Sequence, residues 1–301
     1  MADQIDLQVP ASLDGARVDK ALAELLDLSR AKASLMLQGD VEVDGIPARR
    51  SDRVRAGQVI RCTRPDSDPR LEAEDVAFEL LHEDEDVIVV DKPAGVVVHP
   101  GSGQTSGTLA AGLLFRFPEL EGVGAEGRWG LVHRLDKDTS GAVLVARNQP
   151  AYQTLTSDLR LRRIDRTYTA LVEGRLGAPT GTVHAPVGRD PAQPTRRAVI
   201  HGGKPAQTHY EVARYFEDSD LSLLAVTLET GRTHQIRVHL AAIDHPVVGD
   251  RVYGALRNDI GAPRTFLHAS RLRFTHPRTG EHLEVEVPLP SDLLAVLEGL
   301  S

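Results

Sequence analysis

After Leu13 and Asp14, the apolar residues Val18, Leu22, Leu25 and Leu26 recur at helical spacing and predict one short amphipathic helix. Ser29 stands where an N-cap belongs, ahead of a second helix carrying Leu35 and Met36, with Gly39 just past its end. VEVDGIPA then alternates about Asp44-Gly45, a pair suited to a tight two-residue β-turn, and VIRC (59–62) is a further short strand. Residues 14–63 therefore predict a compact α/β module. The polar stretch PDSDPRLEAED, with its two prolines, predicts a linker at about 65–75. The expected division is a small domain over 1–70 and a larger one over 71–301.

Beyond residue 76 the apolar pattern breaks into strand-sized runs. FELLHEDEDVIVVDKPAGVVVHP predicts two strands about an acidic turn, then a Lys-Pro-x-Gly turn. LVHRLDKDTSGAVLVAR predicts strand, loop and strand, and RTYTALVEG, THYEVARYF and LSLLAVTLET predict further strands. THQIRVHLAAI predicts a helix that ends before Pro246. LHASRLRFTHPRTGEHLEVEVP predicts a hairpin about Thr279-Gly280, and SDLLAVLEGL a closing helix capped by Ser291. Many strands with few helices imply a mixed, largely antiparallel sheet, an α+β architecture.

Composition narrows the function classes. The 301 residues are 41% hydrophobic and 26% charged, ordinary for a globular chain. No apolar run approaches a membrane span, and the start MADQIDLQVP has neither the basic nor the apolar region of a secretory leader. The single cysteine, Cys62, excludes an intrachain disulfide and a cysteine-built metal site. A cytoplasmic protein without membrane attachment is expected.

The net charge of −8 speaks against a nucleic-acid partner until its distribution is resolved. Residues 71–130 hold 3 basic and 12 acidic side chains, whereas residues 131–280 hold 21 and 14. A net of +7 is thus concentrated in half of the chain. Arginine supplies 30 of the 35 basic residues, and its planar fork suits phosphate.

The basic segment opens on HRLDKDTSG (133–141), five charged or titratable residues between two apolar runs. Asp136 among His133, Arg134 and Lys137 is a carboxylate whose charged form neighbouring cations favour, available as nucleophile or base. A solvated turn is the competing reading. Asp136 and Asp138 are two apart and point opposite ways in an extended loop, which disfavours a dyad made from these two. There is no HExxH, no GxSxG, and GSGQTSG (101–107) lacks the Lys-Ser/Thr ending of a phosphate loop. EDED (83–86) reads as a solvated turn.

Two resemblances extend this reading. RVDKALAELL followed by LSRAKASLMLQGDVEVDGIPA resembles the S4 RNA-binding domain, which implies phosphate contacts by Arg30, Lys32, Arg49 and Arg50. HRLDKDTSG resembles the catalytic-loop signature of the RluA family of RNA pseudouridine synthases. DKPAGVVVHP, DRTYTALVEG, GRTHQIRVHLAAIDHPVVGDRVYG and LHASRLRFTHPRTGE match the same family in order, over about residues 80–290.

The resemblance implies a pseudouridine synthase catalytic domain preceded by an S4-like domain. Asp136 then attacks the target nucleotide, at base or at sugar, freeing uracil to rotate and rejoin ribose through carbon. Arg134 enters the stack vacated by the flipped uridine. Tyr168 stacks on the uracil and takes part in proton transfer, and Arg237 pairs with the catalytic carboxylate. Ile236 is an apolar wall of the pocket, and His133 positions rather than reacts. His99 and Pro100 shape a nearby loop, while Lys137, Asp138 and Thr139 fix the catalytic loop by local hydrogen bonds. Arg160, Arg162 and Arg163 of LRLRRIDR (159–166) are expected on the RNA backbone, with Arg196 and Arg197 next.

No cofactor or metal is expected, since isomerising uridine needs no redox equivalent or phosphoryl donor. An S4-like module points to the RluC/RluD-like subgroup and to large-subunit ribosomal RNA, free or in a pre-ribosomal particle. A monomer is expected. The alternatives are a non-catalytic RNA-binding or ribosome-assembly factor retaining the fold, and a carboxylate-based hydrolase unrelated to RNA.

Overall fold

The computed structural model describes residues 4–26, 33–34, 36–37, 39–63, 71–101, 104–125, 127–193, 195–254 and 260–300. The chain divides into two compact units, Met1–Leu71 and Glu72–Ser301.

In the first unit, strands β1 (Gln4–Gln8), β2 (Val41–Val43), β3 (Ile46–Pro47) and β4 (Val59–Thr63) form a sheet in the order β1-β4-β2-β3. Helix α1 (Val18–Leu25) contributes Val18, Ala21 and Leu22 to a core shared with Ile60 and Cys62. Asp44 and Gly45 both adopt left-handed backbone, at φ 51° and 78°, as the hairpin between β2 and β3 requires. The Asp44 carboxylate then accepts from the Val59 amide at 2.9 Å and ties the turn to β4. Sequence reasoning began the module at residue 14 and missed β1, although Ile5, Leu7 and Val9 alternate as a strand should. Ser29, Leu35, Arg30 and Lys32 of the expected second helix lie outside the described residues.

The second unit is built on a nine-stranded sheet. Its strands are β5 (Glu79–Glu83), β6 (Val87–Lys92), β7 (Ser140–Ala146), β8 (Asp165–Glu173), β9 (Thr180–His184), β12 (Gln207–Phe216), β13 (Leu221–Leu228), β14 (Leu267–Thr275) and β15 (His282–Glu286). They run β5-β6-β7-β14-β8-β13-β12-β9, with β15 paired to β14. The small strands β10 (Val187–Arg189) and β11 (Arg197–Val199) pair separately. Every pairing within the nine-stranded sheet is antiparallel except β7 with β14, so the mixed, largely antiparallel α+β expectation holds.

Four helices accompany this sheet: α2 (Leu109–Arg116), α3 (Gln149–Arg160), α4 (Gln235–Ala242) and α5 (Ser291–Glu298). Asn148 caps α3 by accepting from the Ala151 amide at 3.0 Å, and Leu155 buries the helix against Val87, Val89 and Leu144. Helix α5 differs from its expected start: Pro290 is the N-cap and Ser291 the first helical residue, without a capping bond. The apolar residues before HRLDKDTSG are not a strand either, for Leu131 makes only an isolated bridge to Val145.

EDED does form the β5–β6 turn, with Glu83 and Glu85 exposed, but the turn is tied into the fold by ion pairs rather than merely solvated. Glu83 pairs with Arg147 at 3.0 Å, Asp84 with His82 at 2.8 Å, and Asp86 with Arg278 at 2.6 Å. Arg147 and Arg278 are distant in sequence, so the local pattern does not reveal them.

Candidate active site

HRLDKDTSG leads directly into β7, where β7 and β14 meet in parallel. Gly141 has φ 115°, and a Cβ there would lie 2.3 Å from the Ala269 carbonyl oxygen, so only glycine permits this approach. The loop is held mainly by its backbone. The Lys137 carbonyl accepts from the Gly95 amide at 2.9 Å and from Lys92 Nζ at 3.1 Å. The Asp138 carbonyl accepts from Arg264 at 2.9 Å. Lys137 and Asp138 expose their side chains, so these carbonyls replace the side-chain bonds expected of them.

Lys92 is fully buried, and its other two bonds reach the carbonyls of Pro93 and Val96 at 2.7 and 2.8 Å. Burial first, and Arg264 second, draw its ammonium down to about 7, with Asp136 and Asp138 pulling the other way. Its three carbonyl acceptors match the three donors of the protonated form.

Asp136 faces Arg237, with Nη1 donating to its carboxylate at 3.2 Å. Arg237 comes from α4, which starts after His234 in left-handed backbone at φ 57°. Gln235 fastens this helix start: its carbonyl accepts from Thr230 and the Arg232 amide, and its amide donates to the Gln207 carbonyl and Thr208. The remaining guanidinium edge forms a fork on Asp250, at 2.6 Å from Nε and 2.8 Å from Nη2. Burial alone would raise the Asp250 carboxyl, but Arg237 and the amides of Val252 and Tyr253 outweigh it and hold it below the usual range. Burial likewise opposes the Arg237 charge, and Asp250 with Asp136 reverses that. The guanidinium also lies 5.1 Å from the Tyr253 ring centre.

Around this pair is a cleft of about 540 Å³. His133, Arg134, Asp136, Tyr168, Ile236 and Arg237 all line it, so the residues expected at the site converge. Arg160 and Arg162 line it too, but Arg163 turns to Asp158 at 3.4 Å and is not part of its wall. Among the described residues, seven arginines and two carboxylates, Asp136 and Glu229, line the wall and make it strongly cationic. Arg49 and Arg50 belong to the first unit, exposed, with Arg50 3.4 Å from Asp19.

Tyr168 is buried from β8, and its hydroxyl has no hydrogen-bond partner among the described residues. Burial raises its phenol above the ordinary range, against Arg166 and with Asp136. It is therefore a neutral phenol at the site, not a phenolate base. His133 accepts from the Leu144 amide at 3.1 Å through Nε2, which leaves the proton on Nδ1. Burial and then Arg166 lower it to about 3. His99, at the edge of the Val97–Thr108 segment, is lowered to about 4 by burial and then by Arg128 and Arg134.

Sequence reasoning missed Asp250, Tyr253, Lys92, Arg264 and Arg166. Asp250 and Tyr253 stand in GDRVYG, inside a quoted motif, and Arg166 opens the R-x-Y element ahead of Tyr168. An arginine expected to hold a carboxylate needs its own anchor, and that was the available signal.

Among the described residues, one group could be taken for metal ligands: Asp84, Asp86 and His276, whose ligand atoms lie within 4.8 Å of one another. The amides of Arg278 and Thr279 donate to His276 Nδ1, which leaves Nε2 protonated towards Asp84. Arg278 and Asn148 occupy Asp86. The group is a latch between β14 and the β5–β6 turn.

Residues 86–242 match the family model described as RNA pseudouridylate synthase. A ribosomal large subunit pseudouridine synthase D of Nitrosomonas europaea is 45% identical over 98% of this chain and 88% of its own. The chain belongs to the RNA pseudouridylate synthase family. An uncharacterized RNA pseudouridine synthase of Chloroflexus aurantiacus is 46% identical over 99% of this chain and 94% of its own. Among solved structures, human RNA pseudouridylate synthase domain containing 1 matches this synthase at TM-score 0.58 and 29% identity, covering 74% of this chain and 89% of that one.

Proposed function

We propose that the protein converts uridines of large-subunit ribosomal RNA to pseudouridine, with Asp136 as the covalent catalyst. The observation that carries this reading is the Asp136–Arg237 pair in an arginine-lined cleft of a pseudouridylate synthase. Relatives named for the ribosomal large subunit, similar over nearly the whole chain, support the substrate.

The target uridine must leave its stack to reach the cleft, and Arg134, exposed at the rim, is suited to fill the gap. Uracil then lies against Tyr168 and Ile236, with the Asp136 carboxylate at the reacting atoms. The carboxylate bonds to the nucleotide and the bond from N1 to ribose breaks. Uracil turns, C5 bonds to ribose, and the bond between the carboxylate and the nucleotide breaks, returning Asp136 as a free carboxylate; C5 loses its proton and N1 takes one up. Substrate and product contain the same atoms, so no cofactor is needed. Arg237 holds the carboxylate in place, and Tyr168, a neutral phenol, relays a proton while keeping its ring on the base.

The unit Met1–Leu71 is an S4-like RNA-binding domain in this reading, supported by its helix against a four-stranded sheet and by exposed Arg49 and Arg50. The protein then works as a cytoplasmic monomer. No helix among the described residues is long and apolar enough to cross a membrane.

The deciding experiment maps pseudouridine by nucleotide in deproteinised large-subunit ribosomal RNA treated with wild type or Asp136→Asn. Pseudouridine at defined positions with wild type alone is the expected result. Equal product from both proteins would remove Asp136 from the chemistry. No product from wild type on free RNA or on assembling subunits would favour the non-catalytic reading.

A further inference from the structure

Arg166 is 6% exposed and lines the cleft beside Tyr168. Among the described residues no carboxylate stands within ion-pairing distance of it. Its only side-chain hydrogen bond to a described residue is long, 3.5 Å from Nη2 to the Leu228 carbonyl, and its Nε is buried without a partner. A guanidinium has five donors, so most of this one's capacity is unused. A buried cation without a counter-charge is strongly disfavoured and is retained where a ligand supplies the missing anion.

The surroundings specify that anion. Among the described cleft-lining residues, besides the Tyr168 hydroxyl that faces the reacting base, the fully buried side-chain polar atoms left without partners are Arg166 Nε and His133 Nδ1. Both are donors, since His133 Nε2 already accepts from Leu144. Gly231 faces the guanidinium so closely that a Cβ there would lie 2.9 Å from Nη1, and Gly231 itself lines the cleft. The neighbouring Glu229 is committed elsewhere, to Arg162, His209 and Gln207.

We infer that Arg166 is an oxyanion subsite that receives the backbone phosphate of the extruded nucleotide. Arg166 and Tyr168 stand on one face of β8, two residues and so about 7 Å apart. That span is comparable to the distance from a pyrimidine ring to its own phosphate. A base on Tyr168 thus brings its phosphate to Arg166. The assignment of phosphate rests on the proposed RNA substrate; the need for an oxyanion does not.

The test compares wild type, Arg166→Lys and Arg166→Met in two arms. In the first, each melts in sodium sulfate and in sodium chloride at matched ionic strength, with sulfate as the tetrahedral oxyanion. Wild type is expected to gain several degrees more from sulfate than Arg166→Met, with Arg166→Lys between them. Arg166→Met in chloride is expected to melt no lower than wild type. Equal gains from sulfate, or a lower melting temperature in chloride with no change in anion response, would make Arg166 a structural residue and overturn the proposal.

In the second arm, binding to a large-subunit ribosomal RNA transcript is followed against salt. The loss of one phosphate contact should weaken affinity about tenfold and reduce the logarithmic salt slope by about 1 in Arg166→Met. An unchanged slope with tight wild-type binding would overturn the phosphate assignment. A sulfate-selective gain with no RNA binding by wild type would leave the oxyanion subsite standing and remove the RNA reading.

Discussion

Arg237 gives one nitrogen to Asp136, at 3.2 Å, and its other edge to Asp250, at 2.6 and 2.8 Å. The second carboxylate fixes the plane of the guanidinium, so the first meets a donor whose direction is already set. Asp250 touches nothing that reacts. It is a positioning residue, and its effect should appear in turnover rather than in binding.

Asp250→Asn is accordingly expected to lower kcat about 100-fold while RNA affinity stays within a few-fold, because a small misplacement at the reacting group has this scale. Breaking a buried pair from one side should also cost about 3 kcal/mol of stability. Single-turnover kinetics and equilibrium binding on the same RNA separate the two effects. A variant with normal kcat would mean that Arg237 needs no second carboxylate.

Tyr168→Phe isolates the hydroxyl. Because that hydroxyl has no partner among the described residues, its removal should change stability by less than about 0.5 kcal/mol. The ring remains to hold uracil, so affinity should persist. Turnover should fall by about 100-fold if the phenol relays a proton. Full activity in the phenylalanine variant would reduce Tyr168 to a stacking platform.

The parts of the site visible in sequence are those whose chemistry is local. HRLDKDTSG announces itself because five charged or titratable residues interrupt an apolar stretch of sequence, and Asp44-Gly45 because two left-handed residues admit few side chains. Asp250, Lys92 and Arg264 were overlooked because their roles depend on contacts across 13, 45 and 126 residues of chain. EDED failed for the same reason: a run of acids looks solvated until Arg147, His276 and Arg278 are folded against it. A quoted motif showed which stretches matter, not which of its residues hold the others.

Acid should unfold the protein partly through His133. Burial, then Arg166, holds its folded pKa at about 3, against about 6.5 in an unfolded chain. Between those values the unfolded chain binds a proton that the folded chain refuses. Its contribution is therefore complete above about pH 6.5 and declines as pH falls towards 3. From pH 7 to 4 this residue alone should cost about 3 kcal/mol, and His99, lowered to about 4, acts with the same sign. His133→Gln, whose amide oxygen can still accept from Leu144, should lose correspondingly less over that interval. Denaturant unfolding at both pH values measures the difference, and parallel losses would show that His133 takes up its proton in the folded state.

Besides the Gly95 amide, the catalytic loop has two side-chain anchors, one on each of two adjacent carbonyls. Lys92 holds Lys137, and Arg264 holds Asp138 while also donating to Ser140 Oγ at 3.0 Å and to Asp292 of α5 at 2.6 Å. Each anchor alone should keep the loop near its working position. Arg264→Met and Lys92→Met are each expected to lower kcat about tenfold with RNA affinity nearly unchanged. Combined, they should lose far more than the product of the single effects, because neighbours that share one element are not additive. Single-turnover rates for the four proteins complete the cycle. Strict multiplicativity would mean that each carbonyl is held independently and that Asp136 depends on each anchor separately.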